Sequence, residues 1–196
     1  MQVESYLRKY QKVIYQTFVN SLQNDHLSHA FLISGNPGTP LFEVAKFLAK
    51  SIICDDPSPL ACESCITCLR VDDENYPDFI VYDGSKETIK KDAVSEIEDR
   101  FVKKAFEEKG IMIYILHLVE NMTPEAINSI LKFLEEPGTN IYAFLTTNNE
   151  NETECKCKYK YIICYFFLRF SHSASKIYSG IISPTDLIIS LPSSES

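Results

Sequence analysis

The chain places an apolar run, Ala30-Phe31-Leu32-Ile33-Ser34, directly before the loop Gly35-Asn36-Pro37-Gly38-Thr39-Pro40 and a helical pattern from Leu41 to Lys50. Gly and Pro end the run sharply, so the segment reads as strand, tight loop, helix. That unit limits the fold more than any other stretch, because a strand that feeds a helix must bury both against a shared sheet.

The rest of the chain repeats the alternation. Tyr6, Leu7, Tyr10, Val13, Ile14, Phe18 and Leu22 recur at helical spacing and predict one amphipathic helix from about Ser5 to Gln23. Asp78 to Tyr82 reads as a second strand, ended by Asp83-Gly84. Ile89, Val94, Ile97, Phe101, Val102 and Phe106 predict a helix within Lys86 to Glu108, stopped by Gly110. Ile111 to Leu116 is continuously apolar, as a central parallel strand buried on both faces would be. Thr123 as cap and Pro124 in the first turn start a helix that runs to Glu136 and breaks at Pro137-Gly138. Ile141 to Leu145 is a fourth strand. The expected fold is therefore α/β, a mostly parallel sheet flanked by helices. From Asn151 the grammar changes, so residues 1–150 are expected to form the domain and 151–196 an atypical tail. Within that tail only Tyr161–Leu168 and Leu187–Leu191 look strand-like.

The first loop sits where G-x-x-x-x-G-K-[ST] cradles phosphates with backbone N–H groups. Gly35 and Gly38 remain, but Pro40 stands for the last Gly, Leu41 for the Lys and Phe42 for the Ser/Thr. Pro40 removes a donor, Leu41 the cation, and Phe42 the hydroxyl that would hold Mg²⁺. A working site also needs acids after an apolar strand. Here Ile113-Tyr114-Ile115-Leu116 is followed by His117 and Leu118, with Glu120 further on and expected to face outward. Both departures predict a vestigial phosphate loop that does not hydrolyse ATP, with no catalytic residue in the chain.

Cys54-x7-Cys62-x2-Cys65-x2-Cys68 brings four thiols within fifteen residues. Tetrahedral Zn²⁺ takes four such ligands, and x2 spacings let a turn present successive sulfurs to one ion. Four separate core cysteines, or a redox pair at Cys62/Cys65 or Cys65/Cys68, are the alternatives. Asp55, Asp56, Pro57, Ser58 and Pro59 are loop formers unsuited to a core, which favours zinc. With all four positions thiolate, the ion would be structural and would pin an insert too small to fold alone. Cys155, Cys157 and Cys164 have no such company, and His29 and His117 read as structural.

Composition narrows the partners. The chain of 196 residues carries a net charge of −8, with 23 acids against 14 bases in the first 150. Binding phosphates requires Lys and Arg to displace counterions, so any DNA contact is expected to be indirect or minor. No apolar run approaches the ~20 residues a membrane span needs, and the N-terminus is polar. The expected location is the cytoplasm, where seven cysteines favour a metal over disulfides.

Three stretches together resemble the bacterial clamp-loader AAA+ subunits of DNA polymerase III: Leu27-Ser28-His29-Ala30-Phe31-Leu32-Ile33-Ser34-Gly35, the Cys54–Cys68 cluster, and Met122 to Pro137 with its Leu131-Lys132-Phe133-Leu134-Glu135-Glu136-Pro137 ending. In that family gamma/tau keeps a working ATP site and delta-prime often has a degenerate one, so Leu41, Phe42, His117 and Leu118 look like delta-prime. The resemblance covers about residues 1–150. It implies a scaffold for loading the sliding clamp onto primed DNA, with gamma/tau and delta as partners, in a DNA-directed DNA polymerase holoenzyme. The family's Ser-Arg-Cys motif does not follow Thr146-Thr147-Asn148, and Arg169 sits in an unrelated context. Its helical lid and C-terminal oligomerisation domain have no recognisable counterpart in 151–196, as a truncated or frame-shifted gene end would produce. An active ATPase is disfavoured. A stand-alone zinc-stabilised interaction module, or a non-functional truncated remnant, is the alternative.

Overall fold

Among the described residues, five parallel strands form one sheet: β1 (Ala30–Gly35), β2 (Phe79–Asp83), β3 (Met112–His117), β4 (Ile141–Thr147) and β5 (Cys164–Leu168), in the spatial order β2-β3-β4-β1-β5. The computed structural model describes residues 3–101, 105–135 and 138–149, together with the backbone of 164–168. β1 is buried at every position because it pairs on both sides, Ala30 opposite Ala143 and Phe31 opposite Cys164. β3 lies between β2 and β4, with Phe79 opposite Ile113 and Met112 opposite Ile141.

The side-chain period of two divides each central strand between two cores. Phe31, Ile33, Ile113, Ile115 and Phe144 face one layer, which contains α1 (Val3–Tyr10), α2 (Lys12–Gln23) and α3 (Leu41–Ile53). Ala30, Leu32, Tyr114, Leu116, Ala143 and Leu145 face the other, against α5 (Lys91–Phe101) and α6 (Pro124–Glu135). A register slip of one residue would exchange these sets, and that fixes the pairing. The architecture is the α/β sheet between helices that the apolar runs predict. Among the described residues no helix is long and apolar enough to cross a membrane.

Two predicted helices differ from their sequence reading. The single helix predicted over Ser5–Gln23 is two, broken at Gln11, whose φ of −130° and ψ of 45° are not helical. Leu7, Ile14 and Phe18 still line one buried stripe, so the break leaves the periodicity intact. The helix predicted from Lys86 begins only at Lys91. Asp83 captures both the Ser85 N–H (2.9 Å) and its hydroxyl (2.6 Å), and Ile89 bridges to Met122 as extended chain. At the other end, the buried Asp78 carboxylate accepts the N–H groups of Phe106 (3.1 Å) and Glu107 (2.7 Å), which holds that segment out of the helix.

α6 starts as expected, with Thr123 Oγ1 accepting the Ala126 N–H at 3.3 Å and Pro124 in the first turn. Within the predicted run Tyr161–Leu168, Cys164–Leu168 forms an edge strand on β1. Val102, Glu136, Pro137, Cys155, Cys157, Arg169 and the run Leu187–Leu191 lie outside the described residues.

Candidate functional site

β1 delivers the chain to the sheet's C-terminal edge, where the loop of residues 35–40 turns it into α3. Gly35 closes β1 and is buried, while Gly38 sits exposed at the tip with φ +89°, a conformation that favours glycine. The loop spends its donors on itself. Thr39 N–H donates to Asn36 O (3.0 Å), and Leu41 N–H donates back to Thr39 O (2.8 Å) around Pro40 at φ −75°, ψ 63°. That is an inverse γ-turn, and it withdraws the N–H that opens α3. Leu41 is 1% exposed and packs into the core rather than reaching over the loop.

Phe42 and His117 lie 75 residues apart in sequence and meet here. Their ring centroids are 5.3 Å apart with planes tilted by 57°. Phe42 lies in the first turn of α3 and His117 ends β3, so the contact joins the helix after the loop to the C-terminal end of the neighbouring strand. His117 Nδ1 lies 2.7 Å from Thr146 Oγ1, which also accepts the Leu118 N–H at 3.0 Å. Leu118 has φ +56° and turns the chain away from the sheet. Gly84 locks the same corner: its N–H donates to His117 O (2.8 Å), and its carbonyl accepts from Asn121 Nδ2 (2.9 Å). A Cβ there would stand 2.6 Å from His117 O, so this approach requires glycine. Glu120 corrects its sequence reading. It does not face outward; its Oε1 accepts the Asn148 N–H at 2.9 Å, and Oε2 is buried.

Burial pushes the His117 pKa down, against the pull of Asp83, Glu43 and Glu120. His29, whose Nε2 lies 3.3 Å from Leu134 O, is pushed down by burial as well. When the folded pKa is lower, the unfolded chain binds more protons. That stability is complete above the unfolded value of about 6.5 and is lost as pH falls from there through the lower folded value. Urea midpoints should therefore drop between pH 7.5 and pH 5.5, and His29→Asn combined with His117→Asn should flatten the dependence. An unchanged slope in the double variant would contradict these assignments.

The four cysteines converge beside this domain. Cys54 ends α3, Cys62 and Cys65 lie in the following loop, and Cys68 is in α4 (Ile66–Asp72). All four sulfurs lie within 4.8 Å of one another, with Cys54 3.5 Å from Cys62 and 3.8 Å from Cys65. A tetrahedral ion with ~2.3 Å bonds to sulfur sets its ligands about 3.8 Å apart, which these positions match. Three sulfurs each accept a backbone N–H: Cys62 N to Cys54 Sγ (3.4 Å), Cys65 N to Cys62 Sγ (3.3 Å) and Cys68 N to Cys65 Sγ (3.4 Å). Such donors stabilise thiolates. Hydrogen bonds from Ser64 bring the Cys62 thiol down to about 6, whereas burial pushes Cys54 and Cys68 up. Four sulfurs so placed could hold a metal ion.

Salt links tie the cluster to the domain. Lys50, 4% exposed, reaches Asp72 (2.9 Å) and Glu63 (3.3 Å), and Lys46 also reaches Asp72 (3.0 Å). Burial opposes the Lys50 charge, but Asp72 and Glu63 outweigh it and raise the pKa. Lys109 pairs with Asp55 (2.7 Å), and Arg70 grips Glu107 through two bonds of 3.1 and 2.7 Å. Sequence spacing points to the thiols but not to these partners, because each pair joins segments at least 13 residues apart.

Residues 10–154 match the family model described as DNA polymerase III, delta subunit. DNA polymerase III subunit delta-prime of Bacillus subtilis is 36% identical over 141 residues, 72% of this chain and 43% of that protein. DNA polymerase III subunit gamma of Buchnera aphidicola is 32% identical over 141 residues, 71% of this chain and 37% of that protein. The chain thus spans less than half the length of these relatives. A gamma subunit-related protein of DNA polymerase III from Thermotoga maritima shares the fold, with a TM-score of 0.58 at 21% identity over 80% of this chain and 46% of that one.

Proposed function

The chain belongs to the family of DNA polymerase III subunits that includes delta-prime, gamma and tau, and from that premise we propose that it is a non-hydrolysing, delta-prime-like clamp-loader component. The observation that carries this reading is the Phe42–His117 contact, which fills the place of the metal-binding hydroxyl and acid with two rings. Leu41 in the core and the γ-turn at Pro40 support it, since they withdraw the cation and a backbone donor from the loop. Residues 1–150 act as the AAA+-type body and the tail adds no catalytic part. Gly35, Gly38, Leu41 and Phe42 are the remnant of a phosphate loop, and no residue is catalytic.

Cys54, Cys62, Cys65 and Cys68 hold structural Zn²⁺, which cross-links the end of α3 to α4; the ion supplies no chemistry to a substrate. The partners are gamma/tau and delta, with ATP turnover left to the subunits that keep working sites. The protein acts in the cytoplasm, and its contact with DNA is indirect or minor because its surface is acidic.

The test is co-elution of the full chain, purified with zinc, with gamma/tau and delta of the same organism, alongside ATP hydrolysis by the chain alone. Stable co-elution without turnover is expected. Turnover that Gly38→Ala abolishes would overturn the non-hydrolysing assignment. A folded, metal-loaded chain that meets neither partner would instead fit a zinc-stabilised module outside the loader.

A further inference from the structure

The short helix α4 presents apolar side chains to solvent. Ile66 is 74% exposed and Leu69 50%, and their i, i+3 spacing puts them on one face. The turn that Arg70 clamps through Glu107 carries a third, Phe106, which is 67% exposed. These are three of the five large apolar side chains more than a third exposed among the described residues. A seven-residue helix would not hold its shape alone, yet this one is fixed on its inner side by Thr67, Cys68 and Val71, all buried. The thiol cluster and the ion pairs around it thus present Ile66 and Leu69 in a fixed geometry.

The charge around them selects the occupant. From Cys54 to Asn75 the chain has six carboxylates, Asp55, Asp56, Glu63, Asp72, Asp73 and Glu74, and one guanidinium, Arg70. Lysines outside this stretch hold Asp55, Glu63 and Asp72, while Asp73 and Glu74 stand exposed beyond the end of α4. Such a surface repels nucleic-acid phosphates, anionic lipid and a second copy of itself. It attracts a protein segment with aliphatic side chains on one face and lysine or arginine around them.

We propose that Ile66 and Leu69 on α4 form a docking face for a basic amphipathic helix of another protein. The chemistry of the partner follows from this face alone; placing that partner in the clamp loader rests on the function proposed above.

The test uses the full zinc-loaded chain and its Ile66→Gln/Leu69→Gln variant, which keeps both helix propensity and charge. Far-ultraviolet circular dichroism and zinc content first establish that the variant is folded. Two probes follow: the purified gamma/tau and delta subunits, and a synthetic helix with leucines on one face and lysines on the other. The synthetic helix should bind the native chain at least about tenfold more tightly than the variant, because two apolar contacts are lost. A benzophenone at position 66 should cross-link to a lysine- or arginine-flanked aliphatic segment of gamma/tau or delta. Equal binding of the synthetic helix to both chains would overturn the proposal, since charge alone would then explain the attraction. If the helix discriminates but the subunits do not assemble at all, the clamp-loader reading fails and the docking face stands. If they assemble with no cross-link from position 66 and no effect of the variant, the face does not serve the loader and its placement there is overturned.

Discussion

Cys62→Ala should release the metal and unfold the insert while leaving the sheet intact. Cys62 is only half-buried, so alanine there opens no core cavity, and the effect isolates the ligand. Structural Zn²⁺ in small domains binds with an apparent ~10–16 kcal/mol, comparable to or larger than the ~5–15 kcal/mol that holds a whole domain folded. The remaining ties are weak by comparison. Asp55 and Asp72 are substantially exposed, and exposed ion pairs are each worth about 0–1 kcal/mol. Zinc per chain should fall from about one equivalent to near zero. Amide exchange should become fast in α4 and stay slow in β1, β3 and β4. A chelator should produce the same pattern in the native chain. Retained protection of α4 without metal would mean that the ion pairs suffice.

Phe31→Ala should produce the largest loss of global stability. The Phe31 ring lies in β1 between Phe18 of α2, 5.5 Å away, and Phe144 of β4, 4.8 Å away, and it is 2% exposed. Truncating a buried Phe costs about 3–5 kcal/mol through lost transfer energy and the cavity left behind. For a chain of this size that lowers the melting temperature by roughly 10 °C. Phe31→Leu should recover most of it, because it restores volume without the ring contacts. An alanine variant melting within a degree or two of the native chain would mean that α2 does not seal this side of the sheet.

How much of this could be read beforehand depends on where the determining contacts lie. Strands β1, β3 and β4 were legible because parallel strands buried on both faces read as near-continuous apolar runs. The start of α6 was legible because Thr123 and Pro124 act within one turn. The break at Gln11 left no sign: neither Gly nor Pro marks it, and Leu7, Ile14 and Phe18 keep their stripe across it. The late start of α5 depended on Asp83 bonding Ser85, a local competition that periodicity does not register. At the candidate site the departures from the phosphate-loop pattern were visible residue by residue. That Phe42 and His117 touch, and that Glu120 turns in to Asn148, depended on strands meeting only in the folded sheet.

The order of strands across the sheet also sets a timetable for synthesis. β1 is made among the first 35 residues, yet neither neighbour exists until β4 is complete at Thr147 and β5 at Leu168. At ~5–20 residues per second, a mostly apolar strand waits roughly five to twenty seconds with both edges unpaired. The four thiols follow the opposite schedule, since all are present once residue 68 emerges. The nascent chain can therefore gather its four thiols while its central strand is still without neighbours.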